Sequence, residues 1–134
     1  MTIRLLDTNI VSLFVRGKAS EQALATLSAQ PVGSVHVSII SRAEILYGLT
    51  KAKMPPRLSH AVSVFFQTVV VPAWEDTEAQ SYARLRTAIE AKGISIAPLD
   101  LMIASQSLAS GAVLVTNDSA LKQLTPWLDV EDWS

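Results

Sequence analysis

Residues 4–10 read RLLDTNI, and this stretch decides the fold because an apolar run of strand length ends abruptly on an acidic residue. The apolar run at 3–6 predicts a buried β-strand, and the spacing of residues 10–16 predicts a helix directly after it. Asp7 therefore stands at the carboxyl end of a strand, with two more polar residues behind it. A carboxylate at that point either caps the next helix or belongs to a functional site.

Beyond this stretch, short apolar runs alternate with segments of helical periodicity. Further strands are predicted at 35–37, 69–71, 112–115 and 128–130, and helices at about 20–29, 41–50, 56–68, 75–92 and 99–110. Strands that alternate with helices indicate an α/β fold, a sandwich in which a central, mainly parallel sheet is flanked by helices. In such a sheet, ligands bind outside the carboxyl ends of the strands.

The composition is that of one folded globular domain over residues 1–134, with 49% hydrophobic and 17% charged residues. The absence of cysteine excludes disulfides and thiolate metal sites, and it fits a reducing cytosol. The start of the chain lacks the pattern of a signal peptide. The longest uncharged apolar run, at 61–66, is far too short to span a bilayer. We therefore expect a cytoplasmic protein without a membrane segment.

The net charge of −1 hides an asymmetry between the two halves of the chain. Residues 1–67 carry a balance of +4, whereas residues 68–134 carry −5. Arg42, Lys51, Lys53 and Arg57 concentrate the basic character. They form either an ordinary solvated face or a basic rim for a nucleic-acid backbone.

Four acidic residues stand at predicted strand ends and helix starts. Asp7 follows the first strand and Asp118 follows strand 112–115, so both reach the same edge of the sheet if the two strands are neighbours. Asp100 lies in the first turn of a largely apolar helix. Glu44 forms the pattern S-x-x-E with Ser41, which is typical of a capping box.

Each acid has a structural explanation of its own, as a helix cap, a turn residue or a charge favoured by the helix dipole, the last worth ~0.3–1 kcal/mol. Burial weakens this explanation for Asp100, because an unpaired carboxylate pressed against the core is costly. Together, the four carboxylates would form an oxygen-rich site suited to Mg²⁺ or Mn²⁺. The hydroxyl of Thr116 would lie beside Asp7 and Asp118, able to orient a carboxylate or a water.

Other kinds of catalytic site find no support in the sequence. His36 and His60 fall in a strand and a helix away from these acids, so a zinc site is not expected. The chain has neither a G-x-S-x-G nucleophile motif nor a G-x-x-x-x-G-K-[ST] phosphate loop. Oxygen ligands without histidine indicate metal-assisted hydrolysis of a phosphate ester.

Four segments of the chain, LLDTNI, SRAEILYG, LDLMIASQSLASG and LVTND, resemble motifs of PIN domains and, more narrowly, of the VapC toxins of bacterial toxin–antitoxin systems. The resemblance extends from the first strand to the closing VEDWS. It implies a PIN-like fold and a Mg²⁺-dependent endoribonuclease, with Mn²⁺ as an alternative ion, that cleaves transfer RNA or a ribosomal RNA loop. The ending VEDWS resembles the branch that acts on initiator transfer RNA.

The resemblance also implies roles for individual residues. Asp7 and Asp100 would hold the metal ion, while Glu44 and Asp118 would orient the attacking water, accept its proton or hold a second ion. Many VapC-like chains have asparagine where this chain has Asp118. Two polar neighbours, Asn9 and Thr116, would hold the carboxylates, and the basic residues named above would form a rim for RNA. The implied partners are the RNA substrate, a VapB-type antitoxin and a second copy of the chain in a homodimer.

Four alternatives compete with this hypothesis. A receiver-like phosphoacceptor domain would need paired acids after the first strand and a lysine directly after a late strand, and the chain has neither. A D-x-D phosphatase fails at Asn9, which occupies the second acidic position. A sequence-specific DNA-binding regulator would need a recognition helix with exposed arginine and asparagine. The fourth alternative, a catalytically silent PIN-fold module that acts through its antitoxin, stays open.

Overall fold

The computed structural model describes all residues, 1–134, as four short strands and seven helices. In chain order these are β1 (Arg4–Leu6), α1 (Thr8–Val15), α2 (Glu21–Ser28), β2 (Val35–Val37), α3 (Ile39–Lys51), α4 (Pro56–Phe66), α5 (Asp76–Ala91), α6 (Pro98–Ser110), β3 (Val113–Val115), α7 (Ser119–Lys122) and β4 (Val130–Glu131). The predicted alternation of strands and helices is confirmed. None of the helices is long and apolar enough to cross a lipid bilayer.

The four strands form one sheet in the order β2-β1-β3-β4, and every pair is parallel. The first strand therefore lies at the centre, between β2 and β3, although β3 follows it by more than a hundred residues. This arrangement confirms the predicted α/β sandwich with a parallel sheet. It also brings the carboxyl ends of all four strands to one edge.

Adjacent residues of β1 face opposite layers of the core, because side chains alternate along a strand. Leu6 packs with residues of α1, α4 and β2 in one apolar cluster, and Leu5 packs with residues of α5, α6 and β3 in the other. Gly111 ends α6 in the left-handed conformation, with φ of 69°, which a residue without a Cβ adopts without strain. Helices thus cover both faces of the sheet.

Two local predictions are wrong. Helix α3 begins at Ile39 and not near residue 41, because Ser38 is the N-cap and accepts a hydrogen bond from the backbone N–H of Ile40. Ser41 and Glu44 therefore lie within the helix and do not form a capping box. The predicted strand at 69–71 is reduced to a single bridge between His36 and Val70. Pro72 has no N–H and cannot extend this pairing.

An ion pair between Arg4 of β1 and Glu131 of β4 spans the intervening strand β3. Arg4 donates from Nε to Oε1 of Glu131 at 2.9 Å and from a second nitrogen to Oε2 at 3.1 Å. Its third contact is to Oε1 of Gln30, at 2.9 Å. The Arg4 hydrogen bond holds the pKa of Glu131 below its ordinary value of 4.5.

We expect Glu131→Gln to lower the free energy of unfolding at neutral pH by about 0.5–1 kcal/mol, since water screens a carboxylate side chain that is 37% exposed. A lowered pKa contributes stability above the ordinary value, and this contribution is lost as the pH falls through the folded pKa. Urea unfolding of both proteins at neutral pH and below pH 4.5 measures this effect. The difference between their free energies of unfolding should be smaller at the acidic pH. A difference that widens with acidity would contradict this account.

Candidate active site

The carboxylate of Asp7 lies at the carboxyl end of β1 and is 2% exposed. Its Oδ1 accepts a hydrogen bond from the backbone N–H of Ile10 at 2.9 Å, which confirms the predicted helix cap. Its Oδ2 accepts a hydrogen bond from the hydroxyl of Thr116, at the end of the neighbouring strand β3. The Thr116 oxygen in turn accepts from the backbone N–H of Asp118 at 3.0 Å. One hydroxyl therefore links the ends of the two strands.

Glu44 reaches the site from the first half of α3. Its Oε1 accepts a hydrogen bond from the hydroxyl of Thr8 at 2.6 Å, and its Oε2 has no partner in the chain. The Oγ of the fully buried Ser41 lies 2.9 Å from the same Thr8 oxygen. The role of Thr8 was not anticipated from the sequence, although its place directly after Asp7 puts it at the same sheet edge.

Two further acids complete the site from the starts of helices. Asp118 is the N-cap of α7 and accepts a hydrogen bond from the backbone N–H of Ala120 at 2.7 Å. Asp100 is the third residue of α6, after Pro98, and is half-buried. It lies in the first turn, where the helix dipole favours a negative charge.

Two of the four acids, Asp7 and Asp100, have a pKa above the ordinary value of an aspartate. Burial raises the pKa of Asp7 above its ordinary value, against the lowering effect of the hydrogen bonds from Thr116 and Ile10, and the charges of Asp118 and Glu44 raise it further. Burial also raises the pKa of Asp100, with added contributions from Glu44, Asp118 and Asp7. The structure therefore brings together the four acids that the sequence singled out.

No lysine or arginine compensates this negative charge, because the three ion pairs of the chain all involve other residues. No three acidic or histidine side chains are close enough to form a closed cage around a metal ion. Mg²⁺ seldom needs such a cage, since it keeps several waters and binds through one or two carboxylates. The oxygen-only donors and the uncompensated charge therefore fit a hydrated divalent cation.

The predicted supporting residues occupy different positions. Thr116 is fully buried and bonded to Asp7, as described above. Asn9 is exposed and contributes no hydrogen bond to any of the acids; it lines a cleft that it shares with Glu44.

The basic residues do not form one rim. Lys51 lies seven residues after Glu44, two turns along the same face of α3. Arg42 lies on another face of the helix, in a separate groove, with its guanidinium 4.6 Å from the ring centroid of Phe66. Lys53 and Arg57 are exposed at the turn between α3 and α4. Only Lys51 extends the surface that starts at Glu44.

Comparison with known proteins identifies the family of this chain. The PIN domain family model matches residues 4–125. The chain is 30% identical over 132 residues to the ribonuclease VapC2 of Rickettsia felis, with 98% of each chain covered. It is 28% identical over 131 residues to the tRNA(fMet)-specific endonuclease VapC of Shigella flexneri, with 97% of each covered.

Solved structures agree with these sequence matches. The toxin chain in the DNA-bound VapBC complex of Salmonella typhimurium superposes with a TM-score of 0.90 at 27% identity, and all of both chains is covered. The corresponding chain of the VapBC2 complex of Rickettsia felis gives a TM-score of 0.86 at 29% identity. Since the family model spans most of the chain and the relatives match over nearly their full lengths, the chain belongs to the PIN-domain family and, within it, to the VapC ribonucleases of toxin–antitoxin systems.

Proposed function

We propose that this VapC-family protein is a Mg²⁺-dependent endoribonuclease that hydrolyses phosphodiester bonds in transfer RNA. The observation that carries the proposal is the cluster of four carboxylates at one sheet edge, in which Asp7 and Asp100 lie within electrostatic reach of the other acids. None of the four is paired with a cation. Without a divalent ion, such a cluster would repel a phosphate. With Mg²⁺ or Mn²⁺ held by Asp7 and Asp100, it becomes a site for an RNA backbone.

When bound, a divalent ion offsets the charge that develops on the phosphate and makes water a better nucleophile. The chain's own residues supply orientation and proton transfer. Thr116 and the N-terminus of α1 fix both oxygens of Asp7. Thr8 fixes one oxygen of Glu44 and leaves the other free to accept a proton from the attacking water. Asp118, held at the start of α7, would help to orient that water.

The relatives support a choice of substrate and partners. Because one relative is named for initiator transfer RNA, that molecule is the first substrate to test. The structural neighbours are complexes of a VapC toxin with its antitoxin, which supports a VapB-type antitoxin as the partner of this chain. We include a homodimer in the proposal, on the basis of the family resemblance alone.

The alternative function is a catalytically silent PIN-fold module that acts only through its antitoxin. It predicts no dependence of any RNA-directed effect on the four acids. The raised pKa values of Asp7 and Asp100 favour the nuclease, because burial of the two carboxylates outweighs the hydrogen bonds that Asp7 accepts and neither has a cationic partner.

The test is cleavage of purified initiator transfer RNA, bulk transfer RNA and ribosomal RNA by the antitoxin-free protein. We expect discrete fragments with Mg²⁺ or Mn²⁺ and none with a chelator, and mapping the fragment ends identifies the cleaved bond. Intact RNA under every condition, from protein shown to be folded by circular dichroism, would support the silent module instead.

Thr8→Val tests the placement of Glu44. Valine keeps the β-branched shape but removes the hydroxyl that bonds Oε1, so we expect RNA cleavage to fall about 10–100-fold, the usual cost of losing a partner that orients a site residue. The measurement is the single-turnover cleavage rate beside the thermal unfolding midpoint. Thr8→Ser is the matched control, because it keeps the hydroxyl and should retain most of the activity. Equal rates for the valine and serine variants would exclude a positioning role for Thr8.

A further inference from the structure

A cleft of about 560 Å³ opens beside the acidic cluster, between α1, α3 and α4. Thr8, Asn9 and Glu44 line the end of the cleft next to the acids, and Tyr47 and Gly48 line it farther along α3. Its walls are mostly apolar, and its volume lies in the range of small-ligand pockets, about 300–1,000 Å³. If a molecule binds at the acids, the cleft can accommodate its next chemical group along the chain.

Tyr47 is the exposed aromatic side chain of this cleft. It is 64% exposed and lies three residues after Glu44, about 4.5 Å farther along the same face of α3. An aromatic ring left open to water beside a catalytic group is typical of a stacking platform for nucleic-acid bases. The Nζ of Lys51 lies 5.9 Å from its ring centroid, so a positive charge accompanies the ring.

Two cations flank the cleft away from the acids. Arg16, at the end of α1, lines it, and its Nε donates to Ser12 at 3.2 Å without an acidic partner. Lys51 stands about 10 Å along α3 from Glu44 and also forms no ion pair. The cleft thus runs from a negative end, which needs a cation to accept a phosphate, to a positive rim that attracts phosphates directly.

We infer that this cleft binds an unpaired nucleotide adjacent to the scissile phosphodiester, with its base stacked on Tyr47 and its backbone beside Lys51 and Arg16. The inference rests on the proposed function and narrows it to RNA that is single-stranded at the point of cleavage. A base inside a duplex is already stacked on its neighbours, so it must be unstacked before it can use this platform. Charge complementarity favours RNA here over a protein segment, because the unpaired groups on the rim are cationic.

The test is equilibrium binding of a fluorescein-labelled, unpaired RNA 12-mer of mixed sequence, measured by fluorescence anisotropy with Mg²⁺ present. All variants are made in the full chain carrying Asp7→Asn, so that the RNA stays intact. We expect Tyr47→Ala to weaken binding about 10-fold, in keeping with the value of a stacked base, and Tyr47→Phe to change it less than about twofold. Leu46→Ala is the matched control, because Leu46 belongs to the same helix but lines a different groove.

The outcomes separate this inference from the proposed function. If the Tyr47→Ala chain binds the unpaired RNA as well as its parent, or loses the same factor toward the duplex form of the 12-mer, the stacking site is wrong even where the parent protein cleaves RNA. If Tyr47→Ala instead weakens only the association with a co-expressed antitoxin, the cleft is a protein-docking groove and the inference also fails. A selective loss for unpaired RNA supports the inference even if the wild-type chain cleaves nothing, in which case the nuclease proposal alone fails.

Discussion

Asp7→Asn is expected to lower RNA cleavage about 10³-fold while making the metal-free protein more stable. The loss follows from the proposed role in holding the divalent ion, since several kcal/mol of transition-state stabilisation depend on it. Asp100→Asn should produce a loss of the same order. A fall in activity together with a gain in stability would separate a functional carboxylate from a structural one.

The gain in stability has its origin in burial. Because burial raises the pKa of Asp7, its ionised form is disfavoured in the folded protein, and at neutral pH that charge works against folding. Asparagine keeps the acceptor for the N–H of Ile10 and removes the charge, and the Thr116 oxygen can accept from its amide. We expect the free energy of unfolding in EDTA to rise by about 1 kcal/mol, a common size for one stabilising change.

The measurement pairs single-turnover cleavage with thermal unfolding in EDTA and in Mn²⁺ or Mg²⁺. The wild-type midpoint should rise with added metal, because an ion that binds only the folded state stabilises it, and the Asp7→Asn midpoint should not. Asp129→Asn is the control, since Asp129 is exposed and precedes β4 at the opposite edge of the sheet. Undiminished cleavage by Asp7→Asn would overturn the assignment of the site.

Trp133→Ala is expected to lower the free energy of unfolding by about 3–5 kcal/mol, the usual cost of removing a large buried aromatic side chain. Trp133 is 6% exposed and belongs to the core cluster of Leu6, Val11 and Val115. Its indole N–H also donates to Oε1 of Glu131 at 3.1 Å. The substitution therefore opens a cavity beneath the centre of the sheet and removes a partner of the ion pair with Arg4.

The loss should also reach the site. Strand β4 pairs with β3, and the backbone N–H of Thr116 donates to the carbonyl of Glu131 at 2.9 Å. Urea unfolding gives the stability change, and cleavage well below the unfolding midpoint shows whether the site survives. Trp133→Phe is the matched control and should cost less because it keeps most of the apolar volume. A change below about 1 kcal/mol for the alanine variant would show that the end of the chain is not part of the core.

Much of this architecture could be predicted because it depends on local chemistry. The apolar run at 3–6 and the cap at Asp7 are both set by neighbouring residues, and the parallel direction of the strands follows from the alternation of elements. That β1 and β3 are neighbours was only a condition in the sequence analysis, and the structure shows it. The start of helix α3, and with it the capping box predicted for Ser41 and Glu44, could not be decided from local residues. Ser38 and Ser41 are both good N-cap residues. Ser38 is the cap because β2 ends at Val37, so the helix can begin directly after Ser38.

The details of the site depend on contacts that no local pattern records. Thr8 and Glu44 are 36 positions apart in the sequence, so the hydrogen bond between them cannot be predicted from the residues around either one. The separation of Arg42 from Glu44 is different, because the two-residue spacing on a helix already places them on different faces. The predicted rim that joins Arg42 with Lys51 is therefore wrong, because Arg42 lies in a separate groove.

The central position of β1 has a consequence for how the chain is made. Asp7 emerges among the first residues of a nascent chain, but its partner Thr116 lies 109 positions later, and Asp118 follows only then. A chain still under synthesis therefore lacks the assembled set of carboxylates until nearly its whole length has left the ribosome. If the chain is the nuclease proposed above, its complete site forms only when its synthesis is almost finished.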